Sequence, residues 1–178
     1  MKLIDIDKKR YKKHLNLVSI ALVIGLSVLS LAFGALLIAA FGSNVSENIA
    51  GEGSTGNFRL NLLGVIFAVV ICVVVMLRIK GTLFMTEVYY VWRLKALQNR
   101  IYRRLKSIKV AAKKHDLNAL IVLNYYYESL KQVYFLDNNT LTMSKVEKDI
   151  AELQHVIAED KLTVSLEQFD EDMLKGFN

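Results

Sequence analysis

The side chains that could carry chemistry in this chain are few and scattered. His14, His115 and His155 stand far apart, and none has a second His or a Cys at metal-ligand spacing. They read as surface or helix-end histidines. Cys72 is the only cysteine, so no intrachain disulfide and no cysteine-based zinc site can be built. Asp170 and Glu171 are paired acids on a short terminal segment with no evident pocket for general acid–base work. Gly51, Gly53 and Gly56 do not follow a strand and no Lys-Ser or Lys-Thr comes after them, so a phosphate-loop reading fails on context. No nucleophile elbow, zinc-protease helix motif or dinucleotide fingerprint occurs. Tyr125, Tyr126 and Tyr127 could stack nucleic-acid bases, but aromatic residues in an apolar helix more often form a core. We therefore assign no catalytic, cofactor-binding or metal-binding residue and expect no cofactor.

The elements around these residues are more informative. Of the 178 residues, 53% are hydrophobic, and the excess lies in two runs, Leu17–Phe41 and Leu60–Leu77, that contain no ionisable side chain. As helices they would reach about 37 and 27 Å at roughly 1.5 Å per residue, enough to cross the hydrocarbon of a bilayer. The first run is too long for a secretory signal peptide and a second span follows it, so it reads as an uncleaved anchor. Neither span carries Asp, Glu, Lys, Arg or His. Transporters and channels usually need such groups in the bilayer or broken helices, so both are poor fits.

The net charge of +6 is unevenly spread. Residues 1–14 carry +4, residues 42–59 carry −1, residues 78–114 carry +10 and residues 115–178 carry −7. Basic residues flank the spans almost entirely on one side, Arg59 being the exception. By the positive-inside bias, both ends are cytoplasmic and the connection Gly42–Arg59 is outside. Nucleic acid ranks lowest among partners, because the acidic C-terminal part would repel phosphate. Asn44-Val-Ser46 matches a glycosylation sequon that would matter only in a eukaryotic secretory route.

Small residues recur at four-residue spacing in the spans: Ala21 with Gly25, Ser30 with Gly34, and Gly64 with Ala68 and Cys72. Such spacing lets helix backbones approach in lipid. Packing of the two spans within one chain is favoured over oligomerisation, since the short connection already brings them together.

Beyond the second span, Gly81 is a stop signal and Thr86 with Glu87 starts a new helix. Phe84, Tyr89, Tyr90 and Trp92 suit either a membrane boundary or a bundle core. A seam of Val91, Leu94, Leu97, Ile101, Leu105, Ile108 and Ala112 then predicts helix as far as Lys114, with basic residues on its other faces. Trp92, Arg93, Arg100, Arg103 and Arg104 are the residues placed best for anionic headgroups or a partner interface. Asp116 should cap a helix from about Leu117 to Leu136 that is apolar nearly all round and so central in a bundle. Ser144 with Glu147 has the form of a capping box, and Ser165 with Gln168 marks a last short helix with Leu166, Phe169 and Met173 inward. The acidic half could face the basic helix.

The segments KLIDIDKKRYKKHLN, FMTEVYYVWRLKALQNRIYR and LNYYYESLKQVYFLDNNTLT resemble a bacterial membrane-protein family catalogued as domain of unknown function three thousand and eighty-seven. The resemblance implies the topology and a bacterial inner membrane, and it carries no functional residues. The resulting expectation is an all-α membrane protein, a two-span helical hairpin within residues 1–83 followed by a small cytoplasmic helical bundle over 84–178. Its partners would be the lipid bilayer and a protein partner or a second copy. The expected role is non-enzymatic, the presentation of an interaction domain; the alternative is an anionic-lipid binder or lipid-facing enzyme using the basic aromatic segment.

Overall fold

A computed structural model describes residues 1–42 and 57–177 of the chain. The sequon Asn44-Val-Ser46 and the glycines Gly51, Gly53 and Gly56 lie outside the described residues. Among the described residues all regular structure is helical: α1 (Lys8–Phe41), α2 (Phe58–Ile79), α3 (Thr86–Tyr102), α4 (Leu105–Ala112), α5 (Leu117–Asp137) and α6 (Thr140–Glu159). Short 3-10 turns occupy Leu83–Met85, Leu166–Gln168 and Glu171–Gly176.

The chain forms two compact units. One is Lys13–Thr86; the other joins Met1–Lys12 to the chain from Glu87 onward. This division differs from the 1–83 and 84–178 boundary expected from the sequence, because the basic N-terminus belongs with the C-terminal helices.

The unit Lys13–Thr86 is built on α1 and α2, both long and apolar enough to cross a membrane. They run antiparallel. Phe33 meets Phe67 edge-on with ring centroids 6.1 Å apart, and nearer the start of α1 His14 lies against Phe84 at 4.3 Å. Most of the apolar surface of this pair is exposed, as at Ile20, Val28, Leu31, Val70 and Val73. So many exposed Leu, Ile and Val side chains would be costly to leave in water. The Ser27 hydroxyl donates to the Val23 carbonyl one turn back (2.9 Å), so its polar group adds no demand on the surroundings. The second helix stops at Ile79. Thr82 donates to the Ile79 carbonyl from both its N–H (3.0 Å) and its hydroxyl (2.7 Å), which ends α2 just before Thr82 and separates it from α3.

The other unit centres on α5. Asp116 caps it, its Oδ1 accepting from the Ala119 N–H at 2.8 Å, and every residue from Ala119 to Tyr127 is buried. Helices α4 and α6 and both C-terminal 3-10 turns pack around it. Tyr125 stacks on Phe169 with centroids 3.9 Å apart. All three tyrosines of the Tyr125–Tyr127 run are buried, so their faces serve the core and offer no platform for bases.

Three boundaries differ from the sequence expectation. The single basic helix predicted to run to Lys114 is two helices, α3 and α4, separated at Arg103–Arg104. The Arg104 N–H bonds back to the Ile101 carbonyl, three residues away, at 2.9 Å. Like charges at three- and four-residue spacing (Arg100, Arg103, Arg104, Lys106) weaken a continuous helix there, and Ile101 and Ile108 on either side of the break are both fully buried. Helix α6 begins at Thr140, ahead of the Ser144–Glu147 signature. The reason is local: Asn138 takes a left-handed conformation (φ 59°) and ends α5 at once, so the chain reverses within two residues. The last short helix is instead the pair of 3-10 turns. There the Ser165 N–H donates to Gln168 Oε1 at 2.8 Å.

Candidate functional site

The first seven residues form an extended strap on the helical unit, which sequence reasoning missed. Ile4 is held at both backbone groups: its N–H donates to the Tyr90 hydroxyl (3.0 Å) and its carbonyl accepts from Gln132 Nε2 (2.5 Å). Asp7 closes the strap. Its Oδ1 accepts from the Lys9 and Arg10 N–H groups at 2.8 and 3.0 Å, an N-cap for α1. Those two backbone bonds, with the charges of Lys9 and Arg10 adding, hold the Asp7 carboxyl below its usual range. The first turns of α1 are tied down as well. Tyr11 is buried, and its hydroxyl donates to Asp137 Oδ1 (3.2 Å) while Lys95 pairs with Asp137 Oδ2 at 2.7 Å. Arg10 pairs with Glu87 at 2.9 Å, and Lys8 sits 4.0 Å from the centre of the Phe135 ring. One signal for the strap was available: Ile4 and Ile6 alternate with Asp5 and Asp7, an extended pattern with one apolar face. Of that face Ile6 is buried, while the Ile4 side chain is 48% exposed.

Alongside the strap, Leu3, Ile4, Phe135 and Met143 line a groove of about 450 Å³ whose rim carries Asp5, Glu128, Glu147 and Lys131. Phe135 is 55% exposed and nearby in sequence Leu141 is 92% exposed.

The residues singled out for headgroup or interface contact separate into three groups. Trp92 and Arg93 are exposed on α3, with Trp92 stacked on Tyr89 at 5.9 Å. Arg100 is engaged by Glu171. Arg103 and Arg104 line a groove with α4 and the chain's last described residues. Tyr90, in contrast, is part of the helical unit through its bond to the strap, and burial pushes its phenol up. The basic and acidic halves meet at Lys95–Asp137 and Arg100–Glu171, while His115–Asp160 is a pair within the acidic half.

Of the small residues in the spans, Gly34, Gly64 and Ala68 are buried. A Cβ on Gly64 would fall 2.6 Å from the Gly34 nitrogen, and one on Gly34 would fall 2.9 Å from Asn61 Oδ1. Helices α1 and α2 therefore touch backbone to backbone at this point. Ala21 is exposed, Ser30 is partly covered, and a Cβ on Gly25 would have nothing within 4 Å. The contact draws on one pair of the pattern and leaves the earlier part of α1 open.

His115 ends α4 in a left-handed conformation (φ 61°) and pairs with Asp160; His155 reaches Glu159 at 3.4 Å one turn on. Among the described residues no group of three or more His, Cys, Asp or Glu could hold a metal ion.

An all-helical chain with two apolar helices and a separate helical unit held by its own N-terminal strap is the class that fold and geometry define. Residues 1–174 match the family model described as protein of unknown function (DUF3087), and the chain belongs to that family. No curated protein and no solved structure matches the chain.

Proposed function

We propose that this chain is a multi-pass protein of the bacterial inner membrane, with both ends in the cytoplasm, whose helical domain docks a protein partner or a second copy of itself. One observation carries the reading. Met1–Lys12 and the chain from Glu87 onward belong to one compact unit, so two crossings by α1 and α2 must return to the face where they began. The basic flanks favour the cytoplasm for that face. Lipid is the first partner and covers α1 and α2. The partner of the helical domain binds the apolar groove at the strap, where Phe135 is exposed, and Leu141, close by in sequence, is exposed as well.

The test is in-cell photo-crosslinking from Phe135 and Leu141 in the full chain, with Glu159 on the far part of α6 as the comparison position. The reading expects one discrete protein adduct, or a dimer of the chain, from the first two positions and not from the third. Adducts at none of them, or the same diffuse products at all three, would contradict it.

A further inference from the structure

A second groove, of about 630 Å³, opens along the outer face of α4 and ends at Gly176 and Phe177. Four cations line it: Arg103, Arg104, Lys106 and Lys114. Among the described residues that line it the one carboxylate, Asp116, is occupied as the cap of α5. The charge imbalance has no local cause in composition. Residues 115–178 hold twelve acids, and other cations of the same unit find partners among the acids around them, as Arg10, Lys95, Arg100 and Lys148 do. Among the described residues none of these four is ion-paired. Four unneutralised charges along one groove repel one another, a cost that an anion would remove.

The break between α3 and α4 sets the arrangement. Arg103 and Arg104 sit in the turn, while Lys106, Ser107, Val110 and Lys114 follow at helical spacing on the face turned away from buried Ile108 and Ala112. Guanidinium groups suit the paired oxygens of a phosphate, and ammonium groups add charge without fixed geometry. The Ser107 hydroxyl already donates to the Arg104 carbonyl (3.1 Å), leaving its lone pairs and no spare proton, so it adds little. Val110 is half exposed and Phe177 is buried at the groove's end, which gives the ligand an apolar wall beside the charge.

From this geometry we infer that the groove binds a phosphate monoester carried on an apolar stem. Phosphatidic acid supplies that chemistry from a membrane, and a small phosphorylated metabolite supplies the phosphate alone. The inference is independent of the protein-docking reading, since it uses a different face; failure to crosslink at Phe135 and Leu141 would leave it standing.

The test uses the full chain in nanodiscs made only of phosphatidylcholine, titrated by calorimetry with dihexanoyl phosphatidic acid or with glycerol 3-phosphate. The expected result is saturable binding of the lipid, about tenfold tighter than glycerol 3-phosphate. R104Q/K114Q should weaken it by about tenfold or more, and K145Q/K148Q, which removes the same charge from α6, should change it by less than about twofold. V110E keeps every cation and puts a carboxylate into the groove; it should weaken binding to the same degree as R104Q/K114Q. Equal affinity for glycerol 3-phosphate would overturn the lipid assignment in favour of a soluble phosphate. Absence of saturable binding by either probe, or equal loss in the two double variants, would overturn the site.

Discussion

Ile4, Tyr11 and Asp137 show how a few side chains can fix a boundary that charge counting misses. The basic residues of the N-terminus draw the eye to the membrane surface, yet Tyr11 is buried and its hydroxyl reaches a carboxylate 126 positions away. Tyr11→Phe removes that bond and leaves the ring in place. It should cost about 1 kcal/mol, seen as roughly fivefold faster amide exchange over residues 1–12, with exchange in α6 unchanged. An unchanged rate over the strap would mean the hydroxyl contributes nothing. A second effect follows from Tyr126, whose phenol is pushed up to about 12 by burial, with Tyr134 and Tyr127 adding. A free phenol titrates near 10. The neutral ring in the folded unit therefore contributes stability that is complete below pH 10 and is lost as pH rises toward 12. Tyr126→Phe should make the fall in urea stability between pH 10 and 12 shallower. An identical slope would show that Tyr126 is not the group responsible.

At the level of elements, the readable parts are those with strong local signals. Asp116 and the dense apolar pattern after it define α5 to within a residue, because the cap and the burial act together. The α3–α4 break was hidden because no Gly or Pro marks it; like-charge crowding at Arg100, Arg103, Arg104 and Lys106 favours it. The start of α6 was misread because Ser144–Glu147 looks like a cap while the left-handed Asn138 sets the real turn. Between α1 and α2 the spacing of small residues was legible, but only the packed pair distinguishes Gly34 and Gly64 from Gly25. That distinction is testable. Gly64→Ala brings a methyl to 2.6 Å from the Gly34 backbone, which cannot step aside, so the helices must separate. In lipid, close packing is a main source of helix association. Disulfide formation between F33C and F67C, in a C72A background, should slow several-fold with G64A and stay unchanged with G25A. Equal rates in both would contradict the contact.

For the whole molecule, the two apolar helices were plain in the sequence because a long uninterrupted apolar run is a local signal. The site was less legible. Arg103 and Arg104 were singled out together with Arg100, yet Arg100 meets Glu171 and only the other two open onto the groove; sequence spacing does not show which cations find acids. The apolar groove at the strap was invisible for the same reason, as its walls come from residues 3–5, 128–135 and 143–147. These long-range contacts also bear on topology. If α1 and α2 cross a membrane as proposed, the strap and the helical domain lie on one face of it, since both belong to one compact unit.

The most direct measurement is therefore cysteine accessibility in intact cells, with a membrane-impermeant maleimide and a Cys72→Ala background. Single cysteines are placed at Asp5 in the strap, at Ser46 in the segment joining α1 to α2, and at Lys145 on α6. The account predicts that S46C is labelled from outside, and that D5C and K145C are labelled only after the inner membrane is opened. Opposite sides for D5C and K145C would contradict the shared unit and the hairpin together. Labelling of D5C and K145C from outside, with S46C protected, would contradict the cytoplasmic orientation.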